Sequence, residues 1–214
     1  MTNNMADAMA NILHVDSSPR SERYRSRRLA REFMDAWLNS HPDDAVTYRD
    51  LRLTPVPHIT EEWIAADFTP PEALTGDMAE LLAFSDELVN EFLAADHCVF
   101  SVPMHNFGMP SNFKAYIDQV VRVGRTFLLE NGQFSGLAEG KKVLFITTRG
   151  VEYGPGSPFE GWDCLEPGLR HAFRFMGVKD FQFIQANGLD LGDDAERRGL
   201  DTAQSKLREL VSSW

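Results

Sequence analysis

The chain has 214 residues, 43% of them hydrophobic, which is enough apolar material for one domain with a full core and too much for a disordered chain. Its net charge of −11 counts against nucleic acid and anionic membrane surfaces as partners, since both repel an acidic protein. The two cysteines, Cys98 and Cys164, are far apart, and the absence of a CxxC pair or a Cys/His cluster of zinc spacing counts against a disulfide framework or a metal centre and suits a reducing, cytoplasmic setting.

Residues 1–10 have neither a cationic start nor an apolar stretch, so they read as a flexible tail rather than a signal peptide, with residues 11–214 as one domain. No apolar run approaches the length of a membrane span. The first strand is predicted over Ile12–Asp16, and helical spacing of Leu29, Phe33, Met34 and Trp37 marks a helix over Arg25–Ser40. The second strand, Ala45–Leu51, alternates in polarity and belongs nearer an edge. Residues 54–71 carry four prolines with Trp63 and Phe68, and read as a long excursion that covers a site or forms an interface. A helix is predicted over Glu72–Ala95, a third strand over His97–Val102, and a helix over Asn112–Val123 capped by Gly124. Residues 126–139 suit a small hairpin turning at Asn131-Gly132. A fourth strand, Val143–Thr148, a helix over Cys164–Met176, a fifth strand, Phe181–Ala186, and a helix over Asp193–Val211 complete the chain.

Strand and helix alternate throughout, which is the pattern of a doubly wound α/β sheet with helices on both faces. Five parallel strands favour the flavodoxin-like order 2-1-3-4-5, and such sheets bind ligands beyond the carboxyl ends of their strands. Three loops should meet there. The loop after strand one, Ser17 to Ser26, combines hydroxyls with Arg20, Arg23 and Arg25 and leads into a helix, so Ser18, Ser26 and helix N–H groups could hold an anion; alternatively Ser21 or Ser26 simply caps the helix. The loop after strand three carries Pro103, Met104, His105, Asn106 and Phe107 ahead of Pro110, with Ser111 as a candidate N-cap. The loop after strand four, Thr147 to Gly156, is glycine-rich and allows close backbone approach. A phosphate site beside two ring-binding loops describes a mononucleotide, and FMN fits best.

Other chemistry lacks support in the sequence. There is no P-loop, no GxGxxG and no GxSxG, and the six histidines lack metal-like spacing. His105 is the one histidine placed at the site; His14 and His97 lie in strands and read as structural, and the Glu61-Glu62 and Asp43-Asp44 pairs read as surface charge. A flavodoxin-type electron carrier and a non-catalytic nucleotide-binding module remain the alternatives to an enzyme.

The stretches Ser18-Pro19-Arg20, Ser26-Arg27-Arg28-Leu29, Pro103 to Phe107, Lys114 to Val120, Gly124-Arg125-Thr126-Phe127, Thr148-Arg149-Gly150 and Phe175 to Val178 resemble the FMN-dependent NADH-azoreductases of the flavodoxin-like quinone reductase group. The resemblance implies a homodimer with non-covalent FMN that uses NADH or NADPH to reduce quinones and azo compounds by hydride transfer. It implies that Ser18 and Ser26, with the backbone of Tyr24 and Arg25, hold the phosphate. Pro103, Met104, His105, Asn106 and Phe107 would flank the isoalloxazine, and Thr148, Arg149 and Gly150 would meet its pyrimidine edge. Phe107, Leu129 and Val151 would line the substrate pocket, with the flavin rather than any side chain carrying the chemistry.

Overall fold

The computed structural model describes residues 9–21 and 24–214, so most of the expected tail, and Arg23 with it, lies outside the described residues. The strands are β1 (Asn11–Asp16), β2 (Ala45–Asp50), β3 (His97–Pro103), β4 (Phe127–Glu130), β5 (Gln133–Gly136), β6 (Lys142–Thr148) and β7 (Asp180–Ala186). The helices are α1 (Arg25–Ser40), α2 (Glu61–Asp67), α3 (Gly76–Ala94), α4 (Ser111–Val120), α5 (Leu165–Phe175) and α6 (Asp193–Val211). Five strands form one parallel sheet in the order β2-β1-β3-β6-β7, which is the expected 2-1-3-4-5 order once the separate β4-β5 hairpin is set aside.

Alternation along each strand divides the core into two layers. Leu13, Val15, Cys98, Phe100, Val102, Val143 and Phe145 pack under α3, α4 and α5. Ile12, Val99, Leu144, Ile146, Ile184 and Ala186 pack under α1 and α6. The inner strands are buried on both faces, which is why they read as continuous apolar runs.

Several expected boundaries move for local reasons. The helix expected from Glu72 breaks into a 3-10 turn over Pro71–Ala73 and then α3, whose N-cap Thr75 accepts from the Met78 N–H at 3.3 Å. The helix expected to run to Val123 stops at Val120, because Thr126 Oγ1 donates to the Val120 carbonyl at 2.8 Å and accepts from the Arg122 N–H at 2.9 Å. Ser111 is the first residue of α4 rather than its cap, which is Pro110. The excursion holds α2, which sequence reasoning missed; Trp63, Ala66 and Leu82 seal it onto α3. Asp44 does more than carry surface charge, since it accepts from Ala10 N–H at 2.8 Å and from Trp37 Nε1 at 2.9 Å.

The hairpin turns at Asn131 (φ +52) and Gly132 (φ +76), as expected of an Asn-Gly turn. Gly136 rests directly on the backbone of Met176 and Gly177, just before β7 begins, and Ala138 N–H donates to the Met176 carbonyl at 2.7 Å. The hairpin therefore sits at the amino edge of the sheet.

Candidate active site

Parallel register brings the carboxyl ends of three strands together. Pro103 of β3 lies beside Thr148 of β6, and Asp16 of β1 lies beside Ser101 of β3. The Met104 N–H donates to the Thr148 carbonyl at 2.9 Å, and the Ser17 N–H donates to the Ser101 carbonyl at 3.1 Å. A groove of about 50 Å³ opens among these ends, lined by Tyr24, Arg25, Pro103 to His105, Thr148 to Gly150, Leu189 and Asp190.

At the start of α1 neither Ser21 nor Ser26 acts as a cap. Tyr24 occupies the N-cap position without a side-chain hydrogen bond, and its own N–H donates to the Ser21 carbonyl at 3.0 Å. The first turn of α1 contains no acidic residue. Ser26 is fully buried, and among the described residues its hydroxyl has no partner. A buried hydroxyl of this kind beside unsatisfied helix N–H groups is suited to an anion. Arg25 reaches outward instead, binding Glu196 at 2.7 Å and Asp190 at 3.0 Å, so α1 is tied to the loop after β7.

The loop after β3 is a tight turn. His105 and Gly108 exchange backbone hydrogen bonds of 2.9 and 3.0 Å. Both residues between them have positive φ, Asn106 at +45° and Phe107 at +71°. Two such residues make a type I′ turn, in which glycine rather than phenylalanine is favoured at the second place. The strain lets the loop present the Asn106 amide, which has no partner among the described residues, and the Phe107 ring, which is 40% exposed. Partial burial, helped by Arg20, lowers the pKa of His105 from its ordinary value, so its imidazole is neutral at pH 7.

The third loop is engaged mostly through its backbone. Arg149 is buried with its guanidinium on Asp163 at 2.8 Å, not in the groove. Burial lowers its pKa, and attraction to Asp163 opposes that shift. The Arg149 N–H donates to the Ala186 carbonyl at 2.9 Å and its carbonyl accepts from the Leu189 N–H, while the Gly150 N–H, which lines the groove, has no acceptor among the described residues. Asp163 Oδ1 also accepts from the Leu165 and Glu166 N–H groups at 2.8 and 3.1 Å, which starts α5.

Ser18, Tyr24, Arg25, Ser26, Pro103 to Phe107 and Thr148 to Gly150 are thus brought to one edge of the sheet. Val151 follows in the same loop, whereas Leu129 is on the hairpin at the opposite edge and does not join Phe107 within one chain. Sequence reasoning missed four contributors. Trp162 meets the Phe107 ring edge-on at 5.4 Å, and the Cys164 N–H donates to the Phe107 carbonyl at 2.9 Å. Leu189 and Asp190 come from the loop after β7, which the rule for carboxyl-end loops would have included. Among the described residues no group of His, Cys, Asp and Glu has the arrangement of a metal site.

The family described as having a flavodoxin-like fold (Flavodoxin_2) matches residues 10–211. An FMN-dependent NADH:quinone oxidoreductase of Nostoc punctiforme is 53% identical over 206 residues, covering 96% of this chain and 100% of that one. An FMN-dependent NAD(P)H:quinone oxidoreductase of Pseudomonas aeruginosa is 40% identical, again covering 96% of this chain and 100% of that one. The crystal structure of an azoreductase from Bacillus anthracis superposes with a TM-score of 0.88 at 24% identity, over 96% of this chain and 100% of that chain, and so shares the fold. The chain belongs to the Flavodoxin_2 family, whose flavodoxin-like fold it adopts.

Proposed function

We propose that this chain binds FMN without a covalent link at the carboxyl edge of its sheet and reduces quinones and azo compounds with NADH or NADPH. The observation that carries the reading is the fully buried Ser26 hydroxyl, without a partner among the described residues, in an α1 first turn that contains no acidic residue. The residues present fit the cofactor. Ser18, Ser26 and the first-turn N–H groups of Arg25 and Ser26 would hold its phosphate, with Tyr24 against it through its ring rather than its committed N–H. Pro103, Met104, His105, Asn106 and Phe107 would flank the ring system, and the N–H of Gly150, beside Thr148 and Arg149, would meet its pyrimidine edge.

When bound, FMN supplies the two-electron chemistry, with nicotinamide and acceptor using one place in turn. The chain supplies binding, orientation and exclusion of water. Gly150 N–H and the Asn106 amide offer donors where negative charge develops, and a preorganised donor of this kind contributes on the order of 3 kcal/mol. Phe107 and Val151 wall the acceptor pocket. A homodimer would bring Leu129 of a second copy to that pocket; exposed Phe68, Ile64, Leu129 and Phe134 provide apolar surface for it. The same reading takes residues 11–214 as one domain working in the cytoplasm. Among the described residues no helix is long and apolar enough to cross a membrane.

The test is a flavin absorbance spectrum of the purified protein followed by NADH and NADPH oxidation with a quinone. Turnover is expected, and Ser26→Asp should release the flavin by placing charge at the phosphate site. A Ser26→Asp protein fully loaded with FMN refutes the phosphate assignment, and flavin without nicotinamide turnover favours a one-electron carrier.

A further inference from the structure

We propose that Arg27 is a positioning residue for the phosphate loop: its guanidinium, locked between Asp16 and Asp50, holds the Ser18 carbonyl away from the anion site. The proposal rests on the FMN reading above and adds a residue that makes no contact with the cofactor.

The parallel register of β1 and β2 places His14 beside Tyr48 and Asp16 beside Asp50. Two neighbouring buried carboxylates repel, so the pair needs a cation between them. Arg27 provides it from the first turn of α1, although its side chain is almost wholly buried. Its Nη1 and Nη2 donate to the two oxygens of Asp50 at 2.8 and 2.6 Å, a bidentate clamp. Nη1 also reaches Asp16 Oδ2 at 3.3 Å, to which the Tyr48 hydroxyl donates at 2.8 Å. His14 Nε2 stands 3.6 Å from the other Asp16 oxygen.

The remaining donors turn to the loop. Nη2 and Nε both point at the Ser18 carbonyl, at 2.6 and 3.3 Å. The carbonyl before it, Ser17, accepts from Asn112 Nδ2 of α4 at 2.9 Å. Two consecutive carbonyl oxygens, each repulsive to a phosphate, are therefore tied to other elements. The next residue is Pro19, which has no N–H to turn toward the anion beside the Ser18 carbonyl. An ion pair needed only for core stability requires no bond to this loop, whereas Arg27 spends two donors on it.

The experiment measures dissociation constants of FMN and of riboflavin for the apoprotein by flavin fluorescence quenching. Their ratio reports the phosphate contribution alone. Arg27→Met combined with Asp50→Asn, which removes both members of the clamp, should lower the FMN preference about 10-fold or more while riboflavin binding changes less than about 3-fold. The control is Arg122→Met with Asp67→Asn, a buried ion pair remote from the loop, which should keep the wild-type ratio. An unchanged ratio in the Arg27 variant, or equal weakening of both flavins, overturns the proposal. If that variant does not fold, Asp50→Asn alone should lower the ratio about 3-fold, and no change there overturns it equally. Wild-type protein that binds riboflavin as tightly as FMN overturns the underlying phosphate reading instead.

Discussion

Phe107→Gly should be more stable than Phe107→Ala, the reverse of the usual order. Position 107 holds φ at +71° in the turn closed by His105 and Gly108. A side chain in the left-handed region costs about 1–2 kcal/mol. Glycine loses about 0.5–1 kcal/mol of extra chain entropy on folding. The difference favours glycine by about 0.5–1 kcal/mol, or about 1–4 °C in Tm for a chain of this size. Against wild type the two effects nearly cancel, because the ring is already 40% exposed and its edge contact with Trp162 contributes about 0.5–1.5 kcal/mol. Thermal and urea unfolding of the apoproteins reads the stability, and kcat/KM with a quinone reads the pocket. Both variants should lose about 3–10-fold in kcat/KM for want of the aromatic wall. Alanine melting at or above glycine refutes the strain argument, and full kcat/KM in both removes Phe107 from the pocket.

Acid should weaken the fold in two stages. Burial lowers the pKa values of His97 and His105, with Lys142 and Arg20 adding to the effect, so the unfolded chain takes up these protons first and stability falls as pH drops through about 6.5. Asp16 and Asp50 resist ionisation through burial, but His14 and Tyr48 for the first and Arg27 for the second outweigh it and hold both carboxyls below their ordinary value. Their contribution is complete above about pH 4 and lost below it; urea titrations that show stability rising from about pH 7.5 to about pH 5.5 refute the histidine stage. Gly136→Ala should destabilise by about 3 kcal/mol, because a Cβ there collides with the Met176 and Gly177 backbone, and calorimetry showing a wild-type Tm would refute that packing. A thiol reagent should count one cysteine in the native protein and two after unfolding, since Cys164 is exposed while Cys98 is buried with its thiol pushed up to about 12; two fast-reacting native thiols would contradict this.

The elements were legible because their signals are local. Apolar runs such as Cys98-Val99-Phe100 and Val143 to Ile146 mark strands covered on both faces, and the spacing of Leu29, Phe33 and Trp37 marks α1 to the residue. The loops after β1, β3 and β6 could be named as a site from strand ends alone, because open parallel sheets place ligands there. Boundaries shifted where a side chain competed with the helix, as Thr126 does after α4. The short helix α2 escaped notice because flanking prolines and seven residues leave no readable period.

Chain chemistry by itself determined the alternation of strand and helix, the hydroxyl-bearing and aromatic loops, and the acidic surface, since each depends on residues close in sequence. Only the tertiary structure decided that Arg27 lies between Asp16 and Asp50, that Arg149 turns to Asp163, and that Leu129 rests at the far edge of the sheet. Those outcomes depend on strand order and register, which bring together groups tens of residues apart and leave no trace in any local pattern.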